Sequence, residues 1–150
     1  NAVPLNRIRK HQDADFIFTP FEHLNQIMQA IPRADTVGFI THLPAELLEQ
    51  IARLRTDETI SLITQTPDTI QPLTQRMREQ AGFNGQLLAA AVEKGTEHLA
   101  SFLDQSDLVL YTPASRRRVR PLVGSDQAHL LIRLLVSPDS LEAIRDAVPV

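Results

Sequence analysis

The chain repeats one local pattern, in which an apolar run is followed by a hydroxyl-bearing residue and then by a proline. The repeated pairs are Thr19-Pro20, Thr66-Pro67, Thr112-Pro113 and Ser137-Pro138. A fifth junction, Leu43-Pro44, keeps the proline and has Thr41 two residues earlier. A Ser or Thr side chain can cap a helix, and proline is tolerated at the first helical position because the N–H that it lacks has no partner there. The pattern therefore predicts strands that end where helices begin.

The apolar runs are short and continuous, which is typical of strands covered on both faces of a parallel sheet. They predict six strands, at residues 16–18, 37–40, 60–63, 87–92, 108–110 and 130–136. Helical patterns separate them, so the sequence predicts an α/β fold with one open, mostly parallel sheet of about six strands and helices on both faces. No long linker interrupts the pattern, and we expect residues 1–150 to form a single domain.

Two segments leave alternatives open. The run at residues 87–92, Leu-Leu-Ala-Ala-Ala-Val, is compatible with a helix because it is rich in alanine. Its length and the flanking Gly85 and Gly95 favour a buried strand, which is the interpretation adopted here. Pro72 fits a helix that begins at Thr69, since the proline then lies in the first turn.

Composition excludes several classes of protein. Hydrophobic residues make up 43% of the 150 residues and charged residues 22%, values that are ordinary for a globular chain. The net charge of -3 argues against a broad nucleic-acid-binding face. The absence of cysteine excludes disulfides, thiolate catalysis and Cys-based zinc sites. No apolar run is long enough for a membrane span, and the N-terminus is not a signal peptide, so we expect a cytoplasmic protein.

Polar residues gather where the predicted strands end. In open parallel sheets a ligand binds at the carboxyl ends of the strands, beside helix N-termini that favour anions. The candidate ligand-binding residues are Thr19, His23, Thr41, His42, Thr64, Thr66, Thr112, Ser115, Arg116 and Ser137. Each of these hydroxyls also has a simpler explanation as a helix-start residue, and only their convergence on one crevice would indicate a ligand.

The arginines at 116, 117, 118 and 120 follow one of these strand ends. A guanidinium group matches a carboxylate or phosphate, so they could hold an anionic ligand. A charge run on an amphipathic helix is more often its solvated face, and a contact with a partner chain is a third explanation. Arg116 and Ser115 are the two residues of this segment close enough to the strand end to be site candidates.

Patterns for catalysis and for cofactors are missing. The chain has no GxSxG elbow, no Gly-rich phosphate loop and no GxGxxG after the first strand. The remaining histidines, His11, His98 and His129, lack the spacing of metal ligands. We therefore expect no catalytic residues, no metal and no cofactor.

Three segments together resemble a known family. The segment Ala14 to Leu24, with the sequence ADFIFTPFEHL, resembles part of the C-terminal effector domain in one group of GntR-type bacterial transcription regulators. The segments from Ser106 to Pro113 and from Val136 to Glu142 fit the same pattern. The resemblance implies a fold similar to a periplasmic-binding-protein or flavodoxin-like lobe. It also implies function as a homodimer and an N-terminal winged-helix DNA-binding domain, which these 150 residues do not contain.

The leading hypothesis is a small-molecule effector-sensing domain, and the chain would then be a fragment of a longer regulator. Occupancy by an effector, which could be anionic, would be signalled to the DNA-binding domain. One alternative is a flavodoxin-like or Rossmann-like enzyme that acts on a phosphorylated small molecule. Another is a partner-binding module without a ligand.

Overall fold

The computed structural model describes residues 3–148 and divides them into two compact units. Unit 1 contains residues 3–42 and 135–148, and unit 2 contains residues 43–134. The chain therefore passes from one unit to the other twice, near His42 and near Leu135. The sequence marks neither point with a linker or a change of composition, which is why no internal boundary is expected from it.

Unit 2 contains a four-stranded parallel sheet and four α-helices. Its elements in chain order are α2 (Ala45–Ala52), β4 (Thr59–Thr64), α3 (Ile70–Gln80), β5 (Gln86–Ala91), α4 (Leu99–Asp104), β6 (Leu108–Tyr111), α5 (Arg116–Val119) and β7 (His129–Leu131). The strand order across the sheet is β5-β4-β6-β7, and every neighbouring pair is parallel. Strand β5 confirms that residues 87–92 are mainly a strand, and Pro72 lies in the first turn of α3 as predicted.

The two faces of this sheet carry separate cores. Ile60 and Leu62 of β4 pack with Leu108 and Leu110 of β6 against residues of α2 and α3. On the other face of the sheet, Ile63 of β4 packs with the remaining side chains of β6 against α4 and α5. Because successive strand residues point to opposite faces, helices cover both sides of the sheet. This is the reason that apolar residues of β4 and β6 point to both faces of the sheet.

Unit 1 contains shorter elements. They are, in chain order, β1 (Phe16–Pro20), α1 (Leu24–Ala30), β2 (Asp35–Phe39), β3 (Thr41–His42), β8 (Leu135–Val136) and α6 (Pro138–Ala147). Strands β1 and β2 form a parallel pair, and β3 and β8 form an antiparallel pair. A 3-10 helix at Leu5–His11 precedes β1 and packs against α1.

The expected single sheet of about six strands is not confirmed. The described residues form a mixed α/β structure with one four-stranded parallel sheet and two separate two-stranded sheets. The clearest error is the predicted strand at 130–136, which is two strands. Its first part, β7, pairs with β6 in unit 2, and its last part, β8, pairs with β3 in unit 1. Continuous apolar residues do not show that the pairing partner changes along the run.

The predicted caps are correct at one of the four Ser/Thr-Pro pairs. Ser137 accepts a hydrogen bond from the Ser140 N–H and caps α6. Thr19 remains inside β1, because the strand continues to Pro20. Thr66 precedes a 3-10 turn without accepting a capping hydrogen bond. Thr112 lies too early to cap, because α5 begins only at Arg116.

Candidate functional site

The strand order of unit 2 places one edge of its sheet where ligands bind in folds of this kind. The chain leaves β4 toward β5 on one side, while β6 and β7 lie on the other side. The carboxyl ends of β4 and β6 therefore flank a point at which the winding direction reverses. Loops diverge from the sheet at such a point and leave a crevice between them. Five of the ten predicted residues lie between the end of β4 or β6 and the start of the next helix, these end residues included: Thr64, Thr66, Thr112, Ser115 and Arg116.

The loop after β6 is held to β4 by a buried serine. The Ser115 hydroxyl is fully buried and lies 2.9 Å from the Ile63 carbonyl oxygen, to which it donates. It also accepts a hydrogen bond of 3.1 Å from the Thr112 N–H. The Ile63 carbonyl accepts a further bond from the same N–H, at 3.2 Å. Ser115 therefore closes the loop onto the sheet, and its hydroxyl group is already used there.

The loop after β4 is fixed in a similar way. The Thr64 hydroxyl is fully buried and donates to the Thr66 carbonyl oxygen at 2.7 Å. The hydroxyls of Thr66 and Thr69 lie 3.0 Å apart and share a hydrogen bond. Asp68 follows in the first helical turn, where its negative charge opposes the binding of an anion at this terminus. These threonines stabilise the turn into α3.

Thr112 is the predicted residue that lines a cavity at this edge. A cavity of about 500 Å³ is bounded by Thr69, Leu73, Thr112, Pro113, Ile132, Arg133 and Leu134. The walls come from the start of α3 and from the segments that follow β6 and β7. Its volume lies in the range of small-molecule sites, and its lining combines apolar side chains with a few polar groups.

Arg133 is the charged residue of this cavity, and sequence analysis missed it. It is exposed, and within residues 3–148 it makes no ion pair. The signal was present, because Arg133 interrupts the apolar run from Leu130 to Val136. A charged side chain within a predicted buried strand indicates that the strand is interrupted nearby, and β7 stops two residues earlier, at Leu131.

Arg116 lies outside this cavity. It lines a separate surface depression of about 540 Å³ with Arg117, Arg120 and Pro121. All three arginines are exposed, and none of them forms an ion pair with another part of the described chain. The depression has no apolar wall apart from the proline, so it offers charge without a shaped pocket.

Two of the predicted residues in unit 1, Thr19 and His23, line a groove beside β1. Thr19 is buried, and its hydroxyl donates to the neighbouring Pro20 carbonyl oxygen at 3.3 Å. His23 is half-buried and follows Glu22 in the turn before α1. The groove runs along the strand.

The other three predicted residues of unit 1 belong to the β3–β8 pair. Thr41 and His42 form β3, opposite Val136 and Leu135. Ser137 donates to the Ser140 hydroxyl at 2.9 Å, and that hydroxyl accepts from the Ile40 N–H at 2.9 Å. The hydroxyl of Ser137 therefore belongs to a network that joins α6 to the end of β2.

Neither a metal centre nor a membrane span is formed by the described residues. Over residues 3–148 no three side chains of the His, Asp or Glu type lie close enough together to ligate one ion. Within the same range, no helix has the length and apolar character needed to cross a lipid bilayer.

Comparison with models of known protein families, with curated proteins and with solved structures gives no match. The resemblance to GntR-type regulators thus stays a prediction from the sequence.

Proposed function

We propose that this chain is an effector-sensing domain that takes a small organic anion at the carboxyl edge of the four-stranded sheet. The observation that carries the proposal is the cavity joining Thr112 to Arg133 beside the ends of β4 and β6. The position follows the general rule for open α/β sheets, and the sequence predicts Thr112 there independently of Arg133. The connection to transcription and to a DNA-binding domain is supported by the sequence resemblance.

The lining indicates the class of effector. Arg133 offers a guanidinium group that can hold a carboxylate or a phosphate in a bidentate manner. The hydroxyls of Thr112 and Thr69 share hydrogen bonds with Ser115 and Thr66, and on rotation they can donate to the same anion or to a neighbouring polar group. Leu73 and Ile132 supply apolar surface for the rest of the molecule. A compact acid with an apolar body matches this arrangement.

A sensing domain changes its equilibrium between states on binding, and it does not convert the effector. The effector shifts the population toward the state that it binds more tightly, and a coupled DNA-binding domain reports that shift. Ser115 and the β4–β6 contacts give the site a rigid base, while the segment after β7 carries Arg133 on an irregular stretch. Movement of that stretch is the simplest response to a bound anion.

The proposal is tested by thermal unfolding of the chain against a panel of small carboxylates and phosphomonoesters. A true effector at 100 times its Kd stabilises the folded state by about 2.7 kcal/mol, which raises the Tm measurably. Arg133→Gln and Thr112→Val should each remove most of this shift. Arg117→Gln changes an exposed arginine outside the cavity and should keep it.

Two results would contradict the proposal. One is binding that Arg133→Gln and Thr112→Val leave unchanged, which would place the ligand elsewhere. The other is conversion of the bound compound, followed by NMR of the ligand, which would favour the enzyme alternative. The regulatory step is tested separately, because the effector should change the affinity of the full-length protein for its operator by about 5-fold or more.

A further inference from the structure

The groove in unit 1 follows the open edge of strand β1. It has a volume of about 660 Å³, and all five residues of the strand, Phe16–Pro20, line it. Since alternate residues of a strand point to opposite faces, a groove on one face would be lined by alternate residues. Lining by consecutive residues places the groove along the edge, beside the backbone itself.

This edge has no strand next to it in the described part of the chain. Strand β1 pairs with β2 on one side, in parallel register from Phe16 opposite Asp35 to Pro20 opposite Phe39. The second wall of the groove comes from the 3-10 helix Leu5–His11, whose Leu5 and Ile8 contribute side chains without pairing with the strand. The outer N–H and C=O groups of β1 are therefore a template for another strand.

Strand β1 also lacks the charged residues that often protect an edge. Its sequence, Phe-Ile-Phe-Thr-Pro, contains no charged residue, and its proline comes at the very end. Phe16 and Phe18 lie on the same face and are 39% and 38% exposed. In proteins that do not aggregate, an uncharged aromatic edge of this kind is covered by a partner.

We propose that the occupant of the groove is β1 of a second copy of this chain, paired antiparallel about Ile17. In this register Phe16 lies opposite Phe18 of the partner subunit, and Ile17 lies opposite its own counterpart. The two copies then form one continuous four-stranded sheet in the order β2-β1-β1-β2. The four phenylalanine rings meet on one face, where cross-strand aromatic pairs stabilise a sheet.

The charges flanking β1 favour this occupant. Around an axis at Ile17, Asp15 lies opposite Thr19 of the partner subunit, and Asp13 lies opposite Phe21 of the partner subunit. No two carboxylates face each other, and each acid meets a neutral residue. A symmetric interface must be complementary to itself, and β1 with its flanks satisfies that condition.

This interface does not depend on the effector site, which belongs to unit 2. It therefore survives if no effector is found, and a monomeric chain would leave the effector proposal intact. The two proposals fail in separate experiments.

The test is the concentration dependence of mass, measured by analytical ultracentrifugation. The unmodified chain should form a dimer. The double variant Phe16→Lys/Phe18→Lys brings four ammonium groups together and should raise the dimer Kd by about 100-fold or more. The matched control is Met28→Lys, because Met28 is 50% exposed, belongs to α1 of the same unit and does not line the groove. The control should dimerise as the unmodified chain does. Circular dichroism should show that the unmodified chain, the double variant and the control are all folded.

A disulfide tests the register without a disruptive charge. The chain contains no cysteine, so Ile17→Cys introduces a single thiol. Opposed residues of an antiparallel pair have Cα atoms about 4.5–5.5 Å apart, which a disulfide can bridge. Mild oxidation should cross-link Ile17→Cys rapidly into a covalent dimer, and Phe21→Cys slowly. A monomeric unmodified chain, a dimer that both lysines leave intact, or equal cross-linking of the two cysteine variants would each overturn the proposal.

Discussion

Strands β4 and β1 are both apolar and both pair in parallel, yet their surroundings differ. All six residues of β4 are buried, because β5 and β6 flank it and helices cover both faces. In β1 the one buried residue is Thr19, while both phenylalanines are exposed by more than a third. Apolar sequence alone therefore does not decide burial. Burial depends on how many strands and helices the topology places around the strand.

The same contrast extends to the two units. Both hydrophobic clusters of the described chain consist of residues between 43 and 134, which is unit 2. Eight of the ten large apolar side chains that remain exposed belong to unit 1, which indicates unfilled contacts there. A small unit with little core of its own gains most from a partner. The proposed pairing of β1 would meet that need.

The largest effect on stability is expected in the core of unit 2. Leu62 is fully buried at the centre of β4, so Leu62→Ala removes packing and leaves a cavity. The expected loss in the free energy of unfolding is about 3 kcal/mol, measured by urea denaturation. The control in unit 1 is Leu141→Ala, whose side chain is exposed in α6 and whose loss should cost less than about 0.5 kcal/mol. Equal losses in the two variants would contradict the conclusion that the hydrophobic core lies in unit 2.

A smaller effect is expected at two serines with different roles. In unit 2, Ser115→Ala leaves the buried Ile63 carbonyl without one donor and loosens the loop after β6, at a cost of about 2 kcal/mol. In unit 1, Ser137→Ala removes the cap of α6, which costs about 1 kcal/mol. Chemical denaturation of the two variants measures the difference. A larger loss at Ser137 would mean that α6 contributes more to stability than its exposed side chains suggest.

The sequence predicted the parts of the structure in which local signals and burial agree. Strands β4 and β6 are predicted because helices on both faces require apolar residues that point to both sides of the sheet. The division of residues 130–136 between β7 and β8 was not found, because pairing partners are a property of the whole fold. At the site, Thr112 was predicted from its place after a strand, whereas Arg133 appears beside it only when β6 and β7 are paired.

Ser115 and Thr64 show a further limit of the sequence. Both were predicted as ligand-binding residues, since hydroxyls at strand ends are suited to that role. In the structure each hydroxyl is fully buried and hydrogen-bonded to a backbone carbonyl. A hydroxyl that holds a loop and a hydroxyl that holds a ligand occupy the same kind of position in the sequence. The hydrogen-bond partner of the hydroxyl distinguishes the two roles. For Ser115 that partner, Ile63, is distant in sequence.

The smallest expected effect concerns a surface pair of unit 2, which shows how little an exposed contact adds beside the core. Arg55 donates two hydrogen bonds to the Asp57 carboxylate, at 2.6 and 3.0 Å, and this contact lowers the pKa of Asp57 below its usual value. A carboxyl whose pKa is lower in the folded state stabilises the fold above its unfolded pKa, and the contribution is lost as the pH falls through the folded pKa. Arg55→Gln should therefore raise the pKa of Asp57, followed by NMR of the carboxyl carbon. The variant should be slightly less stable than the unmodified chain at pH 7. The two chains should be equally stable at a pH low enough to protonate Asp57 in both. Because both side chains are exposed, the difference at pH 7 should also shrink in high salt, and a difference that persisted there would place the effect of Arg55 in packing and not in charge.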